Sequence, residues 1–166
     1  MKYLEQLILG ACYGEVNFKK VSFLEPSDFS NKRRCELFRA IMENRGDMIE
    51  AIRNNHHLKN DMVGYSNLLG YTHPERLGLN LLEHRFKALL STLLGKLSVS
   101  TKNSLEAAIL NESLMRIPEV DIFDLSDYIL EYLSHHASDN TTNRINAFLK
   151  YRDMRILKAK EVIDKL

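Results

Sequence analysis

An excess of charge of either sign is what this chain most plainly lacks. Its 166 residues carry 23 Lys and Arg against 22 Asp and Glu, a formal net charge of +1. That balance gives no general pull toward nucleic acid and leaves only local basic patches to weigh. Proline and glycine are scarce, at three and seven, which suits long helices better than a turn-rich β protein. Two cysteines, Cys12 and Cys35, are too few for a disulfide framework. Each falls in an apolar helical pattern, where a free thiol behaves as a small hydrophobe. No run of 18 apolar residues occurs, and no basic-then-apolar leader pattern opens the chain. The expectation is a cytosolic, reduced protein with no membrane span.

What is present is ordinary for a globular chain, 45% apolar and 27% charged. The length suits one domain with a full core, or a small domain plus an appended element. Leu4, Leu7, Ile8, Ala11 and Cys12 recur at helical spacing, with Gly14 as the expected stop. A short helix is expected to carry Val16, Val21 and Leu24 and to end before Pro26, since the residue before proline disfavours helical angles. The next helix is predicted from about Lys32, burying Leu37, Phe38 and Ile41 and ending near Gly46. Two weaker helices follow, at about residues 48–55 and 62–69. Leu82, Phe86, Leu89, Leu90, Leu93, Leu94 and Leu97 then form an uninterrupted stripe, with Gly95 and residues 98–104 as its weak points.

Leu105, Ala108, Ile109 and Leu114 continue the helical pattern as far as Pro118. The last third reads as a helical hairpin, with Ile122, Leu125, Ile129 and Leu133 on one arm and Ile145, Leu149, Ile156 and Ile163 on the other. Residues 119–139 hold six acidic residues and no Lys or Arg, whereas residues 144–166 hold seven basic and three acidic. Opposite charge favours antiparallel pairing of the arms, though exposed ion pairs contribute only ~0.2–1 kcal/mol each. No segment alternates like a strand. The predicted fold is all-α: a small helical bundle over residues 1–98 and an appended helical hairpin over residues 104–166.

Catalytic patterns are wanting. A phosphate loop needs Gly-x-x-x-x-Gly-Lys-Ser/Thr, but Gly95-Lys96 has Leu90 and Leu97 in place of the first glycine and the hydroxyl. The six histidines occur as His56-His57, His135-His136, His73 and His84, never at the i,i+4 spacing that aims two rings at one ion. There is no Gly-x-Ser-x-Gly elbow, and neither cysteine sits in a catalytic signature. No catalytic, cofactor-binding or metal-ligating residue is assigned.

Two other groups stand out. Lys32, Arg33 and Arg34 crowd a helix N-terminus, where cations oppose the dipole, so a solvated face competes with an acidic protein or phosphate partner. Lys150, Arg152, Arg155, Lys158 and Lys160 form a second basic set, interrupted by acids and without the aromatics of a base-stacking surface. Phe123, Tyr128, Tyr132, Phe148 and Tyr151 give the hairpin more large residues than two helices can cover. They are expected either to meet a second chain or to dock on residues 81–97.

The order of residues from Leu4 to Asn44 resembles the N-terminal domain of DnaB-type replicative helicases. Glu5-Gln6, Leu9-Gly10-Ala11, Leu24, Pro26, Asp28-Phe29, Phe38, Ala40 and Ile41 carry the likeness. It extends through Tyr65-Ser66-Asn67-Leu68-Leu69, a loop to Asn80 and a long helix from Leu81-Leu82, covering about residues 4–97. The segment between Asp47 and Met62 is shorter and more polar than the family's, and Ser91-Thr92-Leu93 stands where the family shows Arg-Leu. The resemblance implies a helical head with a hairpin, self-association, binding to primase or helicase, and no chemistry of its own. Residues 4–41 are also similar to the helicase-binding domain at the C-terminus of bacterial primase. A small DNA-binding protein using Lys32, Arg33, Arg34 and the last helix is the reading from another class.

Overall fold

Helix follows helix throughout the computed structural model, which describes residues 1–68, 73–121 and 137–166. The α-helices are α1 (Lys2–Ala11), α2 (Glu15–Lys20), α3 (Lys32–Glu43), α4 (Met48–Asn54), α5 (Lys59–Ser66), α6 (Pro74–Ser100), α7 (Ser104–Arg116) and α8 (Asp139–Ile163). Short 3-10 turns lie at Pro26–Asp28, His56–Leu58 and Ile117–Glu119. No strand occurs among the described residues. The fold is all-α. The acidic arm expected at 122–133, and with it Phe123, Tyr128 and Tyr132, lies outside the described residues.

The chain forms two compact units, Met1–Leu82 with Ile156–Leu166, and Glu83–Arg155. Both boundaries fall inside helices, α6 and α8, and not between residues 98 and 104.

In the first unit, α1 packs on α3 and α5, burying Ile8, Leu9 and Cys12 completely. Removing such a side chain from water contributes about 1.5–3 kcal/mol for a leucine or isoleucine. The Pro-Ser-Asp-Phe turn is a small device of its own. Pro26 takes the first 3-10 position, where its missing N–H costs nothing, and the Asp28 carboxylate accepts from the Glu25 N–H at 2.7 Å. Phe29 then leaves the turn to stack on Phe38 of α3, with ring centroids 4.8 Å apart. Helix α3 ends as expected at a left-handed glycine: Gly46 has φ +81°, and its N–H reaches back to the Ile41 carbonyl at 2.9 Å.

Several expected boundaries move. Gly14 does not stop α1, which ends at Ala11; with φ +89° it caps the start of α2. Val16 is 68% exposed, and Val21 and Leu24 are buried only after α2 has finished. Met62 sits inside α5, which begins at Lys59. Helix α6 starts at Pro74, a residue suited to a first turn, and runs through Gly95 to Ser100 without a break. Helix α8 begins at Asp139, so residues 139–142 are its first turn.

The second unit is built on Phe86, Leu90, Leu94 and Leu97 of α6, Leu110 of α7, Ile117 of the turn after it, and Ile145, Phe148 and Leu149 of α8. Phe148 and Tyr151 both meet Phe86 edge-on, at 6.5 and 6.3 Å. Phe148 is thus buried in this unit's own core and Tyr151 is half-buried beside it, with Phe86 of the stripe on residues 81–97 as their edge-to-face partner. Helix α7 is turned away from its expected face. It buries Glu106, Leu110 and Ser113, while Leu105 is 53% and Met115 81% exposed.

Candidate functional site

The basic cluster at the start of α3 is committed to its own chain. Asn31 caps the helix, its side-chain oxygen accepting from the N–H groups of Arg33 and Arg34 at 2.8 and 3.3 Å. Arg33 donates to Asp61 of α5 at 2.7 Å and to the His57 carbonyl at 2.9 Å. Arg34 pairs with Glu5 of α1, a carboxylate with no exposed surface that also accepts the Ser30 N–H at 2.6 Å. Cations that oppose the dipole of α3 are thus neutralised by carboxylates from α1 and α5, which corrects the basic patch Lys32, Arg33 and Arg34 as a free phosphate-binding surface. Only Lys32 stays on the exposed face without a recorded ion pair among the described residues.

The second basic set divides in the same way. Arg152 and Arg155 are buried, at 3% and 1% exposed, and Lys150, Lys158 and Lys160 face solvent. Arg155 lies 5.7 Å over the Tyr151 ring and donates to its hydroxyl at 2.8 Å, and Arg152 pairs with Asp153 at 2.6 Å. A continuous basic stripe along α8 is not present.

Other groups singled out by sequence have structural roles. Gly95-Lys96 lies within α6, so its amides are engaged in helix bonds and cannot cradle a phosphate. The Cys12 thiol is buried and pushed up to about 12 by desolvation, so it is a packing group and not a nucleophile. His56 and His57 form a 3-10 turn, and His73 meets Glu75 at 3.1 Å. Among the described residues, no three His, Cys, Asp or Glu gather as a metal site would require.

An open groove in the first unit is the feature sequence reasoning missed. It forms where the link from α1 to α2 meets the link from α3 to α4, clamped by the Gly14 N–H on the Gly46 carbonyl at 2.9 Å. Gly46 is obligatory here: besides its positive φ, a Cβ would come within 2.6 Å of the Phe18 Cβ. Arg45 beside it also has a positive φ, of 52°. The groove has a volume of about 880 Å³, with Tyr13, Phe18, Met48 and Ile49 as its apolar lining and Glu15, Lys19, Arg45 and Asp47 as its polar rim. Ile49 is 71% exposed. The Tyr13 hydroxyl is buried and has no hydrogen-bond partner among the described residues. Burial, with a smaller contribution from Cys12, pushes its phenol well above the usual range, so it stays a neutral donor. The signal available in sequence was the pair Gly14 and Gly46, each readable as a helix stop but not as two halves of one clamp.

No protein-family model, no curated protein and no solved structure matches this chain.

A second built site lies in the other unit, around Glu106 in the first turn of α7. Its carboxylate accepts from Thr101 at 2.9 Å, from the Ser138 hydroxyl at 3.0 Å and N–H at 3.3 Å, and from Thr141. Asn103 caps α7, and Ser138 accepts the Thr141 N–H at the head of α8, so one anion faces the positive ends of two helices. Burial by itself would raise this carboxyl. The hydrogen bonds from Thr141, Thr101 and Ser138 outweigh it and hold the group below the usual glutamate value.

The arrangement is a structural latch. A depressed folded pKa contributes stability above the unfolded pKa, and that stability is lost as pH falls through the folded value. Wild type is therefore expected to lose melting temperature more steeply below about pH 4.3 than Glu106→Gln, which has no charge there to lose. Parallel curves for the two proteins would refute the role assigned to the carboxylate.

Proposed function

We propose that this protein is a non-catalytic protein–protein interaction module resembling the N-terminal domain of DnaB-type replicative helicases, one that self-associates and binds a replicative helicase or primase. The observation that carries an interaction role is the groove. It is open and apolar-lined with a polar rim, the composition of a surface that docks another protein's side chains. Charged groups that other functions would need are occupied inside the chain: Arg33 and Arg34 by Asp61 and Glu5, Arg155 by Tyr151.

The choice of partner rests on the resemblance, and one feature of the packing supports it. Gly10, in Leu9-Gly10-Ala11, lies directly against the backbone of Tyr65, the first residue of Tyr65-Ser66-Asn67-Leu68. Two segments that carry the likeness, far apart in sequence, meet through the small residue. Glu5, a third, holds Ser30 immediately after Asp28-Phe29.

The test uses the full chain with purified helicase and primase from the same cell. Capture of either is expected, and Ile49→Asp should weaken it at least about tenfold, or ~1.4 kcal/mol, because a charge would enter the apolar lining. Ile49 is exposed, so the melting temperature should hardly change. Failure of both proteins to bind at about 50 µM sinks the choice of partner. The DNA-binding reading keeps Lys32, Lys150, Lys158 and Lys160 but has lost four arginines to the interior or to ion pairs. A shallow salt dependence of any DNA binding is expected, and a steep slope would favour that alternative.

A further inference from the structure

Arginine is an unusual residue for the place it takes at position 45. Helix α3 closes with the Gly46 N–H returning to the Ile41 carbonyl at 2.9 Å and the Arg45 N–H to the Met42 carbonyl at 3.1 Å. The residue in Arg45's place in such a closure is usually glycine, because it takes a positive φ, here +52°. A side chain kept against that backbone preference points to a use for the side chain. Arg45 stands exposed on the rim of the groove. We infer that the groove takes an acidic amphipathic helix of a partner protein, with its apolar face on Phe18, Met48 and Ile49 and a carboxylate on Arg45. The inference rests on the groove reading proposed above and names the chemistry of its occupant.

Charge sets the sign of the occupant. Glu15, Lys19, Arg45 and Asp47 rim the groove. Glu15 and Lys19 pair with each other at 3.0 Å, and the Asp47 carboxylate accepts the Glu50 N–H at 3.1 Å at the head of α4. The Arg45 guanidinium has no ion pair or hydrogen bond among the described residues. The charge left uncommitted on the rim is therefore positive, and a carboxylate is the group it can still bind through paired N–H donors. Beside it, Ile49 is 71% exposed, so the carboxylate must come with an apolar side chain next to it.

Backbone bonding selects a helix over an extended segment. The Gly14 N–H is held by the Gly46 carbonyl, the Asp47 N–H by the Asn44 carbonyl at 2.9 Å, and those of Arg45 and Gly46 by the end of α3. An extended peptide finds none of these donors free to pair with its own carbonyls. A helix satisfies its backbone internally and needs only side-chain contacts, the kind this groove offers.

Two synthetic helical peptides of roughly 15 residues test this, both with leucines at helical spacing, one with glutamates beside them and one with lysines. Fluorescence anisotropy with the full chain should show the glutamate peptide binding about fivefold more tightly. Arg45→Lys should keep that preference, and Arg45→Glu should invert it. Arg45→Gly should abolish it while the melting temperature holds or rises by up to about 3 °C, since glycine relieves the positive φ. A fall of more than about 2 °C would show the arginine serving the C-terminal end of its own helix, and would overturn the inference. So would a wild type that prefers the lysine peptide, a preference indifferent to Arg45→Glu, or no binding of either peptide at about 500 µM. Partner capture keeps the two readings apart. Helicase or primase binding that responds to Ile49→Asp but not to Arg45→Glu overturns the acidic helix and leaves the groove standing. Peptide discrimination without capture of either protein supports the acidic helix and sinks only the choice of partner.

Discussion

Glu5→Ala is expected to destabilise the first unit by about 3–5 kcal/mol, the usual cost of removing one member of a buried ion pair. The carboxylate is fully buried, and the Arg34 side chain is only 12% exposed. Without Glu5, the guanidinium keeps its desolvation penalty and loses its counter-charge, and the Ser30 N–H loses its acceptor. For a chain of this size that is a fall in melting temperature of about 6–20 °C. Asp61→Ala is the matched control, because Arg33–Asp61 is a half-exposed pair worth ~0.2–1 kcal/mol. Replacing both partners, Glu5→Leu with Arg34→Met, should recover much of the loss, since an apolar pair of similar volume carries no charge to strand. A Glu5→Ala protein that melts within about 2 °C of wild type would mean the pair is not buried in solution.

Gly10→Ala should cost about 2–4 kcal/mol, from the upper part of the ordinary overpacking range to somewhat beyond it. A Cβ at Gly10 would overlap the Tyr65 carbonyl oxygen and lie 3.0 Å from its carbonyl carbon. The obstacle is backbone, so no rotamer change relieves it, and α1 must move away from α5. Gly95→Ala is the opposite case. Gly95 lies inside α6 with nothing within 4 Å of the added methyl, so helix propensity should stabilise the protein by about 0.5–1 kcal/mol. Thermal melts of the two variants should therefore move in opposite directions. Equal shifts would mean that α1 and α5 are not in backbone contact.

Helix type and order were legible in the sequence because they depend on neighbours three and four residues apart. The stripe of α6, the buried face of α3 with Leu37, Phe38 and Ile41, and the end of α3 at Gly46 all came from local spacing. Polar capping is local as well: the Asn31 side-chain oxygen accepts from the N–H groups of Arg33 and Arg34, two and three residues on. Helix ends were less so. Pro74 can open a helix or break one, and only the chain that follows decides which.

The groove and the face of α7 were out of reach for a different reason. An apolar count predicts that Leu105, Ala108 and Ile109 face inward, but Glu106 is met by donors from Thr101, Ser138 and Thr141, the last of them 35 residues away. Thr101 is a sequence neighbour, but Ser138 and Thr141 lie 32 and 35 residues from Glu106. Arg34 likewise finds Glu5 29 residues upstream, and Gly14 finds Gly46 across two helices. Local spacing was enough to make the fold all-α and to say which residues each helix offers. Which charges are neutralised and which apolar faces stay open depends on groups that meet once the helices have packed, because burial and ion pairing join residues far apart in the chain.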